Sequence, residues 1–423
     1  MTFRFVSFRW LVLRWLAFRW LVPLAAGLLA LLLVPGALAG PDFCDSFESC
    51  RANFQAAARN LVPQPDGVNL ETLEIPSRLP RGNLPIDLLL IPATGHATNL
   101  VIISSGIHGA EAYAGSTLQT RFLREMLAKV DRNQTTFLLI HMINPYGAIT
   151  GRRVTENNVD LNRNFSSGGA LYKNISPGYA AIQDFLNPKY PAQYGFFNLT
   201  KFYGNAAQHL SANSIKTLRT AILKGQYELP KGIYYGGQSL EPAARLLTRH
   251  IVKAFKGKNY DRMLVVDLHT GYGEKGLMHV MPNPLVGSPL VIERTRLVMN
   301  ATLGGYRLED VVGDSDFYQT SGDFSSFVAE TGMSTGMPSV PLLLEFGTLD
   351  SQKIFGSLQS LYRVIQENRL HWHGADNLDS KAQIEHDFRE MFLPSDSIWR
   401  NQVLSQFDEH FPGFLARFQK ADH

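Results

Sequence analysis

Short apolar runs rich in β-branched residues recur along this chain, and stretches with helical periodicity fall between them. The first run, Asn99–Ser104, ends in the glycine-rich Ser105-Gly106-Ile107-His108-Gly109-Ala110-Glu111. Beyond it Leu118, Phe122, Leu123, Met126, Leu127 and Val130 follow helical spacing, so a helix is predicted to pack back on the strand before it. Thr136–Ile143 reads as a second strand, closed by the turn Asn144-Pro145-Tyr146-Gly147. Met263–Leu268 and Pro341–Phe346 read as two more. Strands alternating with amphipathic helices predict an α/β fold with a largely buried sheet.

The polar residues fall where this pattern ends. His108, His269 and Glu345 each stand at or just beyond the C-terminal end of an apolar strand, the edge at which open α/β sheets bind ligands. Between them, at about 166–261, lies a segment rich in Tyr, Phe, Asn and Gly, punctuated by Pro177, Pro188, Pro191 and Pro230. It is expected to wall the site with loops and short helices. From about residue 351 a C-terminal extension carries two helical patterns, Ile354–Asn368 and Ser380–Met391. With no interdomain linker in view, residues 40–423 read as one domain.

Composition changes the picture at the N-terminus. Residues 1–23 mix Arg4, Arg9, Arg14 and Arg19 with Trp, Phe and Leu, and Leu24–Val34 is uninterruptedly apolar before Ala37-Leu38-Ala39. A basic stretch, an apolar run too short to span a bilayer and an A-x-A site predict a signal peptide over residues 1–39, with an uncleaved membrane anchor as the other reading. The protein is then exported to a periplasmic or extracellular location. Setting those four arginines aside, the basic residues nearly match the 37 acidic ones, so no nucleic-acid partner is implied. Cys44 and Cys50, the two cysteines, could close a small disulfide loop in an oxidising compartment.

His108-Gly109-Ala110-Glu111 is an H-x-x-E pair, and His269 follows in Asp267-Leu268-His269-Thr270-Gly271. Two imidazoles and a carboxylate suit tetrahedral Zn²⁺ with one position left open. Alone, H-x-x-E is most often incidental. What changes the odds is Arg153 together with Val159-Asp160-Leu161-Asn162-Arg163-Asn164-Phe165. Here the sequence resembles the zinc carboxypeptidase A-type family, in which H-x-x-E, an Arg, a D-x-N-R motif, a His, a Tyr and a Glu occur in this order. Tyr318-Gln319-Thr320-Ser321-Gly322 and Leu344-Glu345-Phe346 continue the likeness, which covers about Asn99 to Thr348. Gly225-Gln226-Tyr227, Pro230–Gly237 and Arg152–Asn158 are similar to a mainly bacterial branch known only as a domain of unknown function.

The resemblance implies a carboxypeptidase-like fold, with a mixed, mostly parallel central sheet flanked by helices. It implies one Zn²⁺ on His108, Glu111 and His269, with Glu345 activating water, Arg153 stabilising an oxyanion and Tyr318 closing over the ligand. Asn162 and Arg163 would clamp a substrate carboxylate. Arg152 competes with Arg153 for the oxyanion role. Asp267 is expected to point to the other side of its strand, either orienting His269 or capping a structural hydrogen bond. The implied reaction is hydrolysis of a peptide or peptide-like amide next to a free carboxylate. Two alternatives remain: an N-acyl amino-acid deacylase of the same fold, and a catalytically silent binding module at the cell envelope. The alignment slips around Asp323-Phe324-Ser325, so no side-chain preference follows. His141, His371 and His373 are expected to pack structurally, and the N-x-S/T sequons, with Asn164 inside the proposed site, are expected to be chance.

Overall fold

In the computed structural model, residues 43–61, 67–174, 176–212, 224–255, 260–282, 307–308 and 322–420 are described. Contacts divide the chain into Met1–Asp42 and Phe43–His423. The leader and Tyr318 lie outside the described residues, among which no helix is long and apolar enough to cross a membrane.

The second unit is built on a twisted sheet of eight strands: β1 (Asn69–Ile75), β2 (Leu84–Ile91), β3 (Asn99–Ser105), β4 (Thr135–His141), β5 (Arg262–Gly271), β6 (Met278–Pro282), β7 (Arg307–Leu308) and β8 (Ser339–Gly347). Their order is β1-β2-β4-β3-β5-β8-β6-β7. The pairs β4–β3, β3–β5 and β5–β8 at the centre are parallel, and antiparallel neighbours flank them, as the mixed, mostly parallel expectation requires. Central strands buried on both faces explain why they read as continuous apolar runs rather than alternating ones.

Helices cover both faces. On one side lie α1 (Phe47–Arg59), α2 (Ala112–Arg121) and the C-terminal α8 (Ser397–Lys420). Phe407, Phe411 and Phe414 of α8 are fully buried there, each worth roughly 1.5–3 kcal/mol. The sequence patterns did not foretell α8. On the other side, α4 (Pro242–Phe255) and α5 (Phe324–Ser334) pack on Leu100, Ile102, Met263 and Val265. The predicted helix after Glu111 forms as α2 and runs on through a π-turn at Phe122–Met126.

The inserted segment and the C-terminal extension share a separate apolar cluster. Tyr179, Ile182 and Leu186, with Phe202 of α3 (Phe196–Ala212), meet Leu361 and Ile365 of α6 (Ile354–His373) and Phe388 and Phe392 of α7 (Leu378–Phe392). Thr270 Oγ1 donates to Phe392 O and Thr348 Oγ1 to Met391 O, so the end of α7 is tied to the ends of β5 and β8. A disulfide joins Cys44 and Cys50 at the start of α1. His371 and His373 lie in α6, where residues two apart do not share a face, so they form no metal pair. Asn164 is buried, its amide donating to Gly236 O and Ser239 O, so that sequon is spoken for.

Candidate active site

The strand ends bring the predicted residues together through register. His269 and Glu345 are direct partners across the parallel β5–β8 ladder, which sets ligand and carboxylate side by side. β5 runs to Gly271, so His269 sits within the strand rather than past it. His108 precedes the turn Gly109–Glu111 at the head of α2. That turn packs on Asn144-Pro145-Tyr146-Gly147 so closely that a Cβ on Gly109 would stand 2.1 Å from the Gly147 carbonyl carbon. Gly109 N and Asn144 Nδ2 both donate to Arg153 O, which fixes the arginine beside the turn.

One ligating atom each from His108, Glu111 and His269 lies within 4.8 Å of the others, and all three residues are buried. His269 Nδ1 is 2.9 Å from Glu111 Oε2, which also accepts from Thr270 N at 3.2 Å. His108 Nδ1 is 2.8 Å from Glu111 Oε1 yet outside hydrogen-bond geometry, leaving a buried ring nitrogen with no partner. A lone pair held against a carboxylate in this way is what a cation between them requires, so the residues fit a metal.

The outer nitrogens are held by carboxylates. His269 Nε2 is 2.8 Å from Asp267 Oδ2, and Asp267 Oδ1 accepts from Ser104 Oγ at 2.7 Å. Residues two apart in a strand share a face, so the expectation that Asp267 points to the other side is corrected: it sits beneath its histidine and orients it. His108 Nε2 lies 3.1 Å from Asp160 Oδ1 and 2.7 Å from Arg153 Nη2. Both contacts cannot be hydrogen bonds at once. Burial opposes Asp160's charge, but Arg153, His108 and Arg163 outweigh it and hold the carboxyl well below its usual range. An ionised acceptor calls for a proton on Nε2, which turns the Nδ1 lone pair toward Glu111.

Electrostatics separate the acids. Burial raises Glu111, but His108 and His269 more than reverse it, so its carboxyl falls below the normal value. Glu345 is pushed up to about 8, by burial first and by Glu111 second, and Tyr272 N donates to its Oε1 at 2.9 Å. Burial opposes a charge on His269, yet Asp267 and Glu111 push its pKa well above the usual one. The pocket is thus poised to hold positive charge, whether a proton or a metal ion.

The two arginines diverge. Arg152 turns away to Glu367 Oε1 (2.5 Å) and Asn158 Oδ1 (3.0 Å). Arg153 faces the ligands, donating to Glu111 Oε1 at 3.0 Å and reaching Asp160 Oδ2 at 3.3 Å. Arg163 is buried and lines the same cavity as His108, Glu111, Arg153 and Glu345. Asn162 does not line it. Its Oδ1 accepts from Phe324 N at 3.1 Å while Nδ2 is buried without a partner.

The sequence reading passed over Asp160 as a partner of His108, although it stands inside the quoted motif. It also missed Met391 and Phe392, which line the cavity and carry no local signal.

Residues 43–406 match the family described as "Protein of unknown function (DUF2817)". No curated protein matches. Among solved structures the chain is similar to a candidate metallopeptidase from Shewanella amazonensis, at 15% identity and a TM-score of 0.39, over 78% of this chain and 94% of that one. It is also similar to a metallo-carboxypeptidase from Burkholderia cenocepacia, at 13% and 0.36, over 75% and 68%. A third likeness is to the murein-tripeptide amidase MpaA from Escherichia coli O157, at 18% and 0.34, over 71% and 92%. At such identities and scores these likenesses assign neither a substrate nor a reaction to the chain.

Proposed function

The chain belongs to the DUF2817 family, as its expected place in a branch known only as a domain of unknown function requires, and we propose that it is an exported zinc-dependent hydrolase. The bond cleaved is a peptide or peptide-like amide next to a free carboxylate. The observation that carries this reading is the unpaired, buried Nδ1 of His108 facing Glu111 and His269, with Glu345 on the adjoining strand.

His108, Glu111 and His269 hold the zinc, a nitrogen and oxygen donor set that leaves a position open. When bound, zinc polarises water and the amide carbonyl toward reaction. Glu345 takes the proton of the attacking water and hands it to the leaving amine. Arg153 presents a fixed positive charge where charge develops on the carbonyl oxygen. Arg163 receives the substrate carboxylate through its planar fork, with Asn162 shaping the turn that presents it, and the Tyr318 hydroxyl donates to the bound ligand. Asp160 and Asp267 keep both rings oriented.

The test is metal analysis of the purified protein together with hydrolysis of peptides bearing free or amidated C-termini. One zinc per chain and a strong preference for the free carboxylate are expected. Absence of retained zinc, or equal rates on both substrates, would overturn the reading.

A further inference from the structure

The cavity that reaches the metal ligands is far less polar on its other walls. It holds about 200 Å³ and runs from His108, Glu111 and Glu345 to an apolar wall that includes Ile182, Phe185, Leu210, Leu358, Val364 and Phe392. Among the described residues, polar groups on that wall are few: Ser357, Ser360 and His209 are three of them. It is built by the inserted segment, α3, α6 and α7, which share one apolar cluster. The stretch Asp323-Phe324-Ser325 takes no part. Asp323 caps α5 and Phe324 is fully buried in the core beneath the sheet.

Resting on the proposed amide hydrolysis, we infer that the acyl side of the substrate carries a long apolar chain that lies in this basin. A substrate whose carboxylate sits at Arg163 and whose carbonyl sits at the ligand cluster then has its acyl portion left to the side of Glu345, which lines the same cavity. Phe392 flanks that side: a Cβ on Gly271 would stand 3.0 Å from its ring and 3.8 Å from Glu345 Oε1. The wall then continues along α6 to Ile354, which lines the cavity and is 54% exposed, so the basin opens at its far end. A hydrocarbon there leaves water, whereas a polar peptide would lose its solvent hydrogen bonds to a wall with few donors and acceptors. An N-acyl amino acid with a long fatty chain is the chemistry that satisfies both ends.

The experiment is calorimetric binding of N-acetyl, N-hexanoyl and N-decanoyl amino acids to the full-length Glu345→Gln protein loaded with zinc, alongside hydrolysis of the same series by the unaltered enzyme. The dissociation constant should fall about two- to four-fold per methylene, with an increasingly negative heat-capacity change. Leu358→Gln and Ile354→Gln, at half-buried and exposed positions of the wall, should flatten that dependence. A constant that does not fall with chain length, or that falls equally in both variants, overturns the inference whether or not hydrolysis occurs. Chain-length-dependent binding without hydrolysis of any member would instead count against the proposed reaction and leave the basin assigned.

Discussion

Two buried histidine-carboxylate clusters sit on this sheet, and one of them is the metal site proposed above. In the antiparallel β2–β4 pair, Asp87 faces His141 across the ladder. Its oxygens accept from Arg51 Nε (2.7 Å) and Nη2 (3.0 Å), from Thr72 Oγ1 (2.6 Å) and from Gln55 Nε2 (3.2 Å). His141 Nε2 meets Ser116 Oγ at 2.8 Å and its ring stacks on Phe54. Serine, histidine and aspartate thus stand near one another, each held by partners within the fold. At the centre of the sheet, beside the β5–β8 pair, His108, Glu111 and His269 leave a buried ring nitrogen unpaired, and His108 and Glu111 line a cavity. Burial and residue type are the same in both. What differs is saturation: a structural cluster satisfies its donors and acceptors, whereas a working one leaves an atom for something else.

The widest gap between the clusters should appear in catalysis. Glu345→Gln is expected to lower kcat by about 10²–10⁴-fold with zinc content unchanged, because only proton transfer is removed. Kinetics beside metal analysis would check this, and loss of zinc with the activity would make Glu345 a ligand rather than a base. His141→Ala should do the reverse. It removes a stacked ring and leaves the Ser116 hydroxyl unpaired, costing about 2–4 kcal/mol in denaturant unfolding, while kcat per folded molecule holds. A fall in kcat would mean that the structural cluster is coupled to the site through α2.

Arg163→Ala sharpens the contrast within the site. Its fork would contact the substrate carboxylate in ground and transition states alike, so KM should rise roughly 10- to 100-fold with a smaller change in kcat. Amidating the substrate should cost the unaltered enzyme much and the variant little. Equal penalties in both would remove the carboxylate clamp.

How far the sequence carried this comparison depends on how local each signal is. His108, His269 and Glu345 were readable because apolar strands announce their own ends and an α/β sheet gathers those ends on one rim, and Glu111 through its H-x-x-E spacing and the family resemblance. His141 was readable as structural because it falls inside such a run. The choice between Arg152 and Arg153 was not, since adjacent residues differ only in direction, and that depends on Glu367, which lies on α6. The end of α7 as a wall of the site was equally hidden. Nothing near Met391 and Phe392 marks them, and they arrive through bonds from Thr348 and Thr270. Asp267 was misplaced by a lapse in strand periodicity, not by missing information.

The smallest expected effect is also the one that separates the clusters most cleanly. Burial pushes His141 down to about 3, so the native protein binds fewer protons than the unfolded chain between about pH 3 and the unperturbed value near 6.5. Its contribution to stability is therefore complete above pH 6.5 and is lost as pH falls, at no more than about 1.4 kcal/mol per unit. His269 runs the other way. With its folded pKa raised, the metal-free protein gains stability from its proton below pH 6.5 and loses that gain as pH rises through the folded value. Zinc replaces that proton, so zinc affinity should climb with pH and the His269 contribution should vanish from the loaded protein. Urea midpoints across pH 5 to 8, with and without zinc, would measure both. Zinc should remove the alkaline-side decline and add to the acid-side loss through proton competition for its ligands, whereas in the metal-free protein His141→Leu should reduce the acid-side loss, leaving a remainder to groups such as His371, which burial lowers to about 4. If His141→Leu left the acid-side loss of the metal-free protein unchanged, or if zinc left the alkaline-side decline unchanged, the assignment of one cluster to structure and the other to metal would fail.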